Sequence, residues 1–448
     1  MKYSLLTRYN IRLTLLSLSF FSFSGLFSQE KTNLKRCIET GLEKNFELRI
    51  SKNNQRISDN NFTPGNAGML PTVDLNSAYA GSLRDRTNYP SGGGAAVETS
   101  NISDTGFDAG VSLSWTIFDG LSMFTNYDRL KVLQKAGELN TRLAIENFVA
   151  TISGEYYNFV QQNIRYSNLK SAVGLSKERL RIVEARYKIG SMSRFDLQQA
   201  RVDFNADSSR LIKQQETLFA SRIRMNQLMA LTDVEQQFVP SDTSIVFNKL
   251  LSKEDLWSNT LKSNTLILLA EKEKNISILD LKTSQSKNYP YLKLNAGYGY
   301  STDKYGASTY RRQDYLGTSY GLTLGFNVFD GLNRRRQQQN ARIQIENKTL
   351  ETQELELSLR SDFSNMWMAY QNNMELTALE QENVNNARLN YDIAMDRYKV
   401  GDLSGIELRE AQNSLLEAEE RLVQAQYNTK LCEISLLQIS GGIAGMMN

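Results

Sequence analysis

The sequence predicts a mixed α+β protein, mostly α, in which a tandem structural repeat pairs short β-strands with very long helices. Three observations predict it. Phe118-Asp119-Gly120 returns as Phe329-Asp330-Gly331, Arg186-Tyr187-Lys188-Ile189-Gly190 as Arg397-Tyr398-Lys399-Val400-Gly401, and Leu197 and Ala200 as Leu408 and Ala411, always 211 positions on. A constant offset means that about 110 residues are duplicated with no net insertion. None of the five prolines falls between 91 and 239 or beyond 290, so two stretches rich in Gln, Glu, Arg, Leu and Ala run unbroken. Before each stretch the apolar period changes from helical to 2, the period of a strand.

The chain opens with a segment that reads as a secretory leader, residues 1–28. Lys2, Arg8 and Arg12 form its positive start, Leu13 to Phe27 its apolar run, and Ser28 the small residue before a mature start at Gln29. The run is too short and serine-rich for a membrane span, and no cysteine stands at the cut to carry a lipid. Removing three basic residues and no acidic ones takes the formal charge from +3 to 0. A neutral mature chain lacks the concentrated basic face of a nucleic-acid binder. There is no histidine, which removes the commonest general base and metal ligand, and two cysteines cannot build a four-cysteine zinc site. No enzyme activity, metal or cofactor is therefore expected. Beyond the leader no 18-residue apolar stretch exists, so the route into a membrane is a β-barrel.

The mature chain divides into a first repeat at 29–231, a linker at 232–263, a second repeat at 264–441 and a tail at 442–448. Residues 30–63 and the linker, with Pro240 and a short helix around Trp257, read as a collar. Strands are expected at about 70–84, 106–118, 291–302 and 317–328. In them Val73, Leu75 and Tyr79, then Phe107 to Ile117 at every second position, oppose Asp74, Asn76, Gly110, Ser112 and Ser114. Leu292 to Tyr300 and Tyr320 to Val328 repeat the pattern, with Ser77 the exception on the apolar side. Apolar-out, small-polar-in strands of about ten residues fit a membrane barrel with a wet lumen. Four strands cannot close one, since about eight is the minimum. Unpaired edges are not tolerated in lipid, so the chain must oligomerise: a dimer makes eight strands and a trimer twelve.

Long helices are expected at about 121–189, 193–231, 332–400 and 403–440. Those of about 69 residues would each be roughly 100 Å long at 1.5 Å per residue. After the second Arg-Tyr-Lys segment, Leu408, Ala411, Leu415, Ala418, Leu422, Ala425, Thr429, Cys432, Leu436 and Ile439 alternate spacings of three and four. The first copy keeps this frame at Leu197, Ala200, Phe204, Leu211, Leu218 and Met225. That is a left-handed coiled-coil seam, whose simplest partner is the preceding long helix. Asp207 and Gln214 interrupt it and are expected to mark a water-facing side.

The duplicated strand–strand–long helix–turn–helix units, the Phe-Asp-Gly pair, and the segment from Arg397 to Gln412 resemble the TolC-like outer-membrane efflux protein family over about residues 30–441. The resemblance implies a homotrimer: a twelve-stranded outer-membrane β-barrel, four strands per chain, continuous with a periplasmic α-helical coiled-coil barrel. It implies a passive exit duct of a tripartite efflux or type I secretion system, with a periplasmic adaptor and an inner-membrane pump as partners. The turns at Gly190, Ser193, Gly401 and Ser404 would be periplasmic tips where the adaptor docks. Asp196, Glu407, Glu410 and Tyr398 would form the gate, the acids lining a constricted mouth and Tyr398 joining a hydrogen-bond network that holds it shut. Where some members carry a latch arginine this chain has Leu403, with Arg194 and Arg409 as substitutes from other positions. The family's connectivity brings Cys37 near the end of the last helix, where an oxidising periplasm would permit a disulfide to Cys432. Crowded acids at a pore admit cations and raise one another's pKa. The same carboxylates also sit where any helix start favours negative charge. The other reading of the whole chain is an exported coiled-coil scaffold or adhesin with a soluble β-head.

Overall fold

A computed structural model of the protein describes residues 30–447, and the leader expected at 1–28 lies outside them. The elements in order are β1 (Glu30–Thr32), α1 (Leu34–Lys44), α2 (Phe46–Asn61), β2 (Thr72–Asn88), β3 (Val97–Phe118), α3 (Ser122–Lys188) and α4 (Arg194–Leu228). There follow β4 (Phe238–Pro240), α5 (Lys253–Ser263), α6 (Thr265–Ser286), β5 (Tyr291–Lys304), β6 (Arg312–Gly325), α7 (Asn333–Val400), α8 (Gly405–Ile439) and a 3-10 turn, Ile443–Met447. With helices of 67 and 68 residues the protein is mostly α.

The recurring Phe-Asp-Gly has a local cause. Gly120 and Leu121, like Gly331 and Leu332, are successive left-handed residues that turn the chain from strand to helix. A left-handed leucine costs roughly 1–2 kcal/mol. The preceding aspartate offsets it by capping: Asp119 Oδ1 accepts from Met123 N–H at 3.1 Å and Asp330 Oδ2 from Arg334 N–H at 2.9 Å. Gly120 is needed twice over, because a Cβ there would lie 2.2 Å from the Ser286 carbonyl.

Each 35-residue helix runs against the lower part of its long partner, and a shorter helix (α2 or α6) continues the column above it. Two asparagines make these junctions. Asn45 caps the start of α2 and donates to Leu228 O at 3.0 Å, and Asn264 caps α6 and donates to Ile439 O at 2.8 Å. A helix C-terminus thus meets a helix N-terminus, so opposed dipole ends adjoin. Around the junctions sits the largest core, in which Ile38, Val149, Ile152, Tyr156, Phe159 and Met225 pack together. A small parallel sheet, β1 with β4, ties the start of the chain to the linker. Buried Tyr156 fastens it, its hydroxyl donating to Asp242 Oδ2 at 3.0 Å with Thr32 O 3.3 Å away.

The main sheet is antiparallel in the order β2-β3-β5-β6. Register aligns Leu75, Val111, Tyr298 and Thr318 across all four strands, and likewise Val73, Leu113, Ala296 and Tyr320. One face is therefore apolar and the other carries Asp74, Asn76, Asp108, Ser112, Ser114 and a run of glycines. Gly110 pairs with Gly299, and a Cβ on Gly110 would come within 2.9 Å of Gly299 Cα, so the two strands approach where only glycine fits.

Four strand limits differ from the sequence reading, among them the start of β6, at Arg312 rather than near 317, where it pairs with Lys304. β2 runs to Asn88 and β3 starts at Val97, because these polar ends pair with each other beyond the apolar band. β6 stops at Gly325 rather than near 328: it is an edge strand, and Phe326 and Val328 have no strand beside them. In the first repeat the corresponding residues stay in β3, where β5 supplies the partner.

Cys37 and Cys432 do not pair. Both are free and buried, in two different cores. Burial pushes the Cys37 thiol up to about 12 and raises that of Cys432, which keeps both in the unreactive thiol form.

Candidate functional site: the helical tips and the polar bridge between repeats

Both long helices end in the same way. Gly190 (φ +79) and Gly401 (φ +91) adopt the left-handed conformation. Ser191 N–H bonds Arg186 O and Asp402 N–H bonds Arg397 O, each at 2.9 Å, which is the Schellman closure. No atom lies within 4 Å of a Cβ built on either glycine, so the backbone angle, not space, demands glycine.

The next helices open with matching capping boxes, a signature (Ser193-x-x-Asp196, Ser404-x-x-Glu407) already present in the sequence. Ser193 Oγ accepts from Asp196 N–H at 3.1 Å, and Asp196 Oδ2 accepts from Ser193 N–H at 3.1 Å. For Ser404 and Glu407 the distances are 3.2 and 3.0 Å. Hydrogen bonds from the Ser404 hydroxyl and backbone hold Glu407 below the usual carboxylate range. Within one chain the shift is thus opposite to the crowding expectation. Glu407 and Glu410 border one groove with Arg397 and Leu403, whereas Asp196 lies in another with Tyr398 and Gly405. Apolar side chains are exposed around each turn at equivalent positions: Ile189 and Phe195, Val400 and Ile406.

Tyr398 is 0% exposed, packed with Tyr391, Val183, Leu197, Leu408 and Ala411 under the Arg186 guanidinium, whereas its counterpart Tyr187 is 40% exposed. Its hydroxyl has no hydrogen-bond partner among the described residues, so within one chain it serves as a core side chain rather than a network member. Burial raises its pKa, against the smaller pull of Arg186 and Arg179. Arg186 instead donates to the carbonyls of Tyr398 (3.2 Å) and Lys399 (2.8 Å), capping the end of the other repeat's helix.

The strongest polar feature lies just above. Asp207 is 1% exposed, not water-facing as its seam position suggested. Arg409 of α8 grips it in a fork, Nη1 to Oδ2 at 2.5 Å and Nη2 to Oδ1 at 2.7 Å. The Ser176 hydroxyl of α3 also donates to it, and Gln412 Nε2 donates to Ser176 Oγ at 3.0 Å and Ala172 O at 3.1 Å. Burial alone would raise the Asp207 pKa; the bonds from Arg409 and Ser176 outweigh it and hold the group below its usual value, while Arg409 is raised. A second buried pair, Arg179 with Asp203, joins α3 to α4. Of the two arginines suggested as substitute latches, Arg409 is so engaged and Arg194 makes no ion pair among the described residues. Gln214, the other seam interruption, is half-buried and donates to Gln162 O and Oε1.

A model of the outer membrane efflux proteins matches residues 38–231 and 256–442, once per repeat. The chain belongs to the outer membrane efflux protein family. It is 21% identical to the outer membrane protein TolC of Escherichia coli (strain K12) over 464 aligned positions, covering 95% of this chain and 85% of that one. It is 19% identical to the outer membrane efflux protein BepC of Brucella suis biovar 1 (strain 1330), covering 89% and 82%. Among solved structures, the Campylobacter jejuni CmeC outer membrane channel superposes with a TM-score of 0.74 at 17% identity, covering 91% of this chain and 85% of that one. The open state of the Neisseria gonorrhoeae MtrE channel gives 0.71 at 15%, covering 92% and 89%. The fold is that of an outer-membrane channel of the efflux class, and the protein is located in the outer membrane with a periplasmic extension. The scaffold or adhesin reading is not favoured.

Proposed function

We propose that this protein is the passive exit duct of a tripartite efflux or type I secretion system, closed by three copies and opened at its helical tips. The observation that carries this is the sheet: an apolar face in register across four strands, a glycine-lined polar face behind it, and two unpaired edges. Edges cannot be left open in lipid, and a closed ring of sheets buries them. No catalytic residue is assigned, so energy comes from an inner-membrane pump acting through a periplasmic adaptor. The tips suit the adaptor, since Gly190, Ser193, Gly401 and Ser404 build rigid turns flanked by exposed Ile189, Phe195, Val400 and Ile406.

Opening requires the α7–α8 pair to move against the α3–α4 pair. The Asp207–Arg409 fork bridges those two pairs and is the lock in this chain, with Glu407 and Glu410 lining the mouth, Asp196 beside it and Tyr398 packing the joint. Planar-bilayer conductance tests the reading. The wild-type protein should give a small cation-selective conductance, and Glu407→Ala/Glu410→Ala should raise conductance and weaken selectivity. Insertion without that change discards the acidic mouth and keeps the duct. Failure of folded protein to insert discards the duct.

A further inference from the structure

The far end of the sheet, away from the helices, holds polar groups that the gate does not use. Register places Ile102 and Asp104 on the same face as Asp108, Gly110 and Ser112, the lumen side of the sheet. The β5–β6 loop closes on itself where Tyr305 N–H donates to Arg311 O at 3.1 Å. It is fastened to this side. Gly306 N–H donates to Asp104 Oδ1 at 3.0 Å, and Arg86 of β2, reaching across β3, donates to Ala307 O at 3.4 Å. Arg84 pairs with the other oxygen of Asp104. Two residues from Asp104 on this face, Ile102 is only 3% exposed although it is an apolar side chain on the wet side. Gly306 packs so near Ser103 that a Cβ would lie 2.7 Å from its backbone N and O. Beside the loop, Gln313 Oε1 accepts from the hydroxyls of Tyr305 and Tyr315, each at 3.1 Å. Further down, the same face carries only glycine at Gly110, Gly299 and Gly317.

We infer that residues 305–311 fold inward over the outer mouth of the duct, pinned by Asp104, and make a second constriction that limits the size of what leaves. A loop swung outward would leave Asp104 with Arg84 alone; the inward position gives its other oxygen the Gly306 N–H. In the closed barrel every copy contributes one such loop to the rim, so they narrow the opening together. The duct then has a fixed size limit at its outer end besides the movable one at its helical end.

The test uses the full-length protein in the outer membrane of intact cells, with Ser112→Cys as a reporter on the lumen face below the loop. Cys37 and Cys432 are buried, and protein without the reporter corrects for them. A small maleimide and a maleimide on a bulky polyethylene glycol are added outside. The small reagent should label the reporter and the bulky one should not. Asp104→Ala, or replacement of residues 306–310 by two glycines, should raise the bulky-to-small labelling ratio severalfold; if one variant fails to insert, the other carries the test. Equal labelling by both reagents with the loop intact, no rise in the ratio in an inserted variant, or no labelling of Ser112→Cys by the small reagent overturns the inference. The readout needs neither pump nor adaptor, so an error in the docking or gate assignment leaves it unaffected.

Discussion

The two repeats share a backbone plan, and a buried step of the seam shows how they part. In the first repeat Ser176 faces Asp207; 211 positions on, the second repeat has Ala387 and Ala418, packed with Val384 and Leu422. The apolar version holds two helices of one repeat together and offers nothing to a neighbour. The polar version leaves a buried carboxylate that its own repeat satisfies only in part, and Arg409 of the other repeat completes it. Symmetric positions build each helix pair, and the broken symmetry joins the pairs.

The largest effect should come from restoring symmetry at that step. Asp207→Ala leaves Arg409 without its partner, a loss of about 3–5 kcal/mol for a broken buried pair. It should raise channel conductance and speed amide exchange in the tip helices, while Asp207→Ala/Arg409→Leu recovers part of the stability. Equal exchange in Asp207→Ala and wild type would remove the lock from the mechanism. The same pair sets a pH dependence. Asp207 is depressed below its unfolded value near 3.9, so its stabilisation is complete above that pH and is lost as pH falls through the lower native value. Conductance attributable to this lock should stay flat from about pH 5 to 8 and rise only in stronger acid; a rise near neutrality would assign pH gating to other groups.

Next come the tips, where the repeats are alike and should respond alike. Gly190→Ala and Gly401→Ala should each cost roughly 1–2 kcal/mol through left-handed strain, and Ser193→Ala and Ser404→Ala about 1 kcal/mol each through a lost cap. Thermal unfolding of the four variants reads this. A much larger loss at one tip than at the other would show that its turn has contacts beyond the helix ends. Smallest should be Tyr398→Phe, since the hydroxyl removed has no partner within the chain; stability and conductance should change little, within about 0.5 kcal/mol of wild type. A large increase in conductance would place the hydroxyl in a bond to another copy.

Much of this was legible in the chain itself. The constant offset, the change of period from 2 to 3.5, the proline-free stretches and the paired glycines come from local sterics and patterning, which act over a few residues and are repeated in the sequence. The capping boxes were equally local and were read only as favourable charge. Contacts across the fold were another matter. A polar residue in a seam reads the same whether it meets water or an arginine, so the pattern alone points Asp207 to solvent. Arg409 lies 202 positions away and has no counterpart spacing to reveal it. Tyr187 and Tyr398 stand in the same motif, yet one is exposed and the other buried, because only the packing of α7 against α3, α4 and α8 decides which face is covered. Cys37 and Cys432, adjacent by connectivity, end in separate cores. The repeat, the elements and their turns follow from the chain alone, since backbone angles and side-chain period are properties of neighbours in the chain. The tertiary structure alone decided which near-identical positions face each other, because burial and charge pairing depend on what lies across the interface.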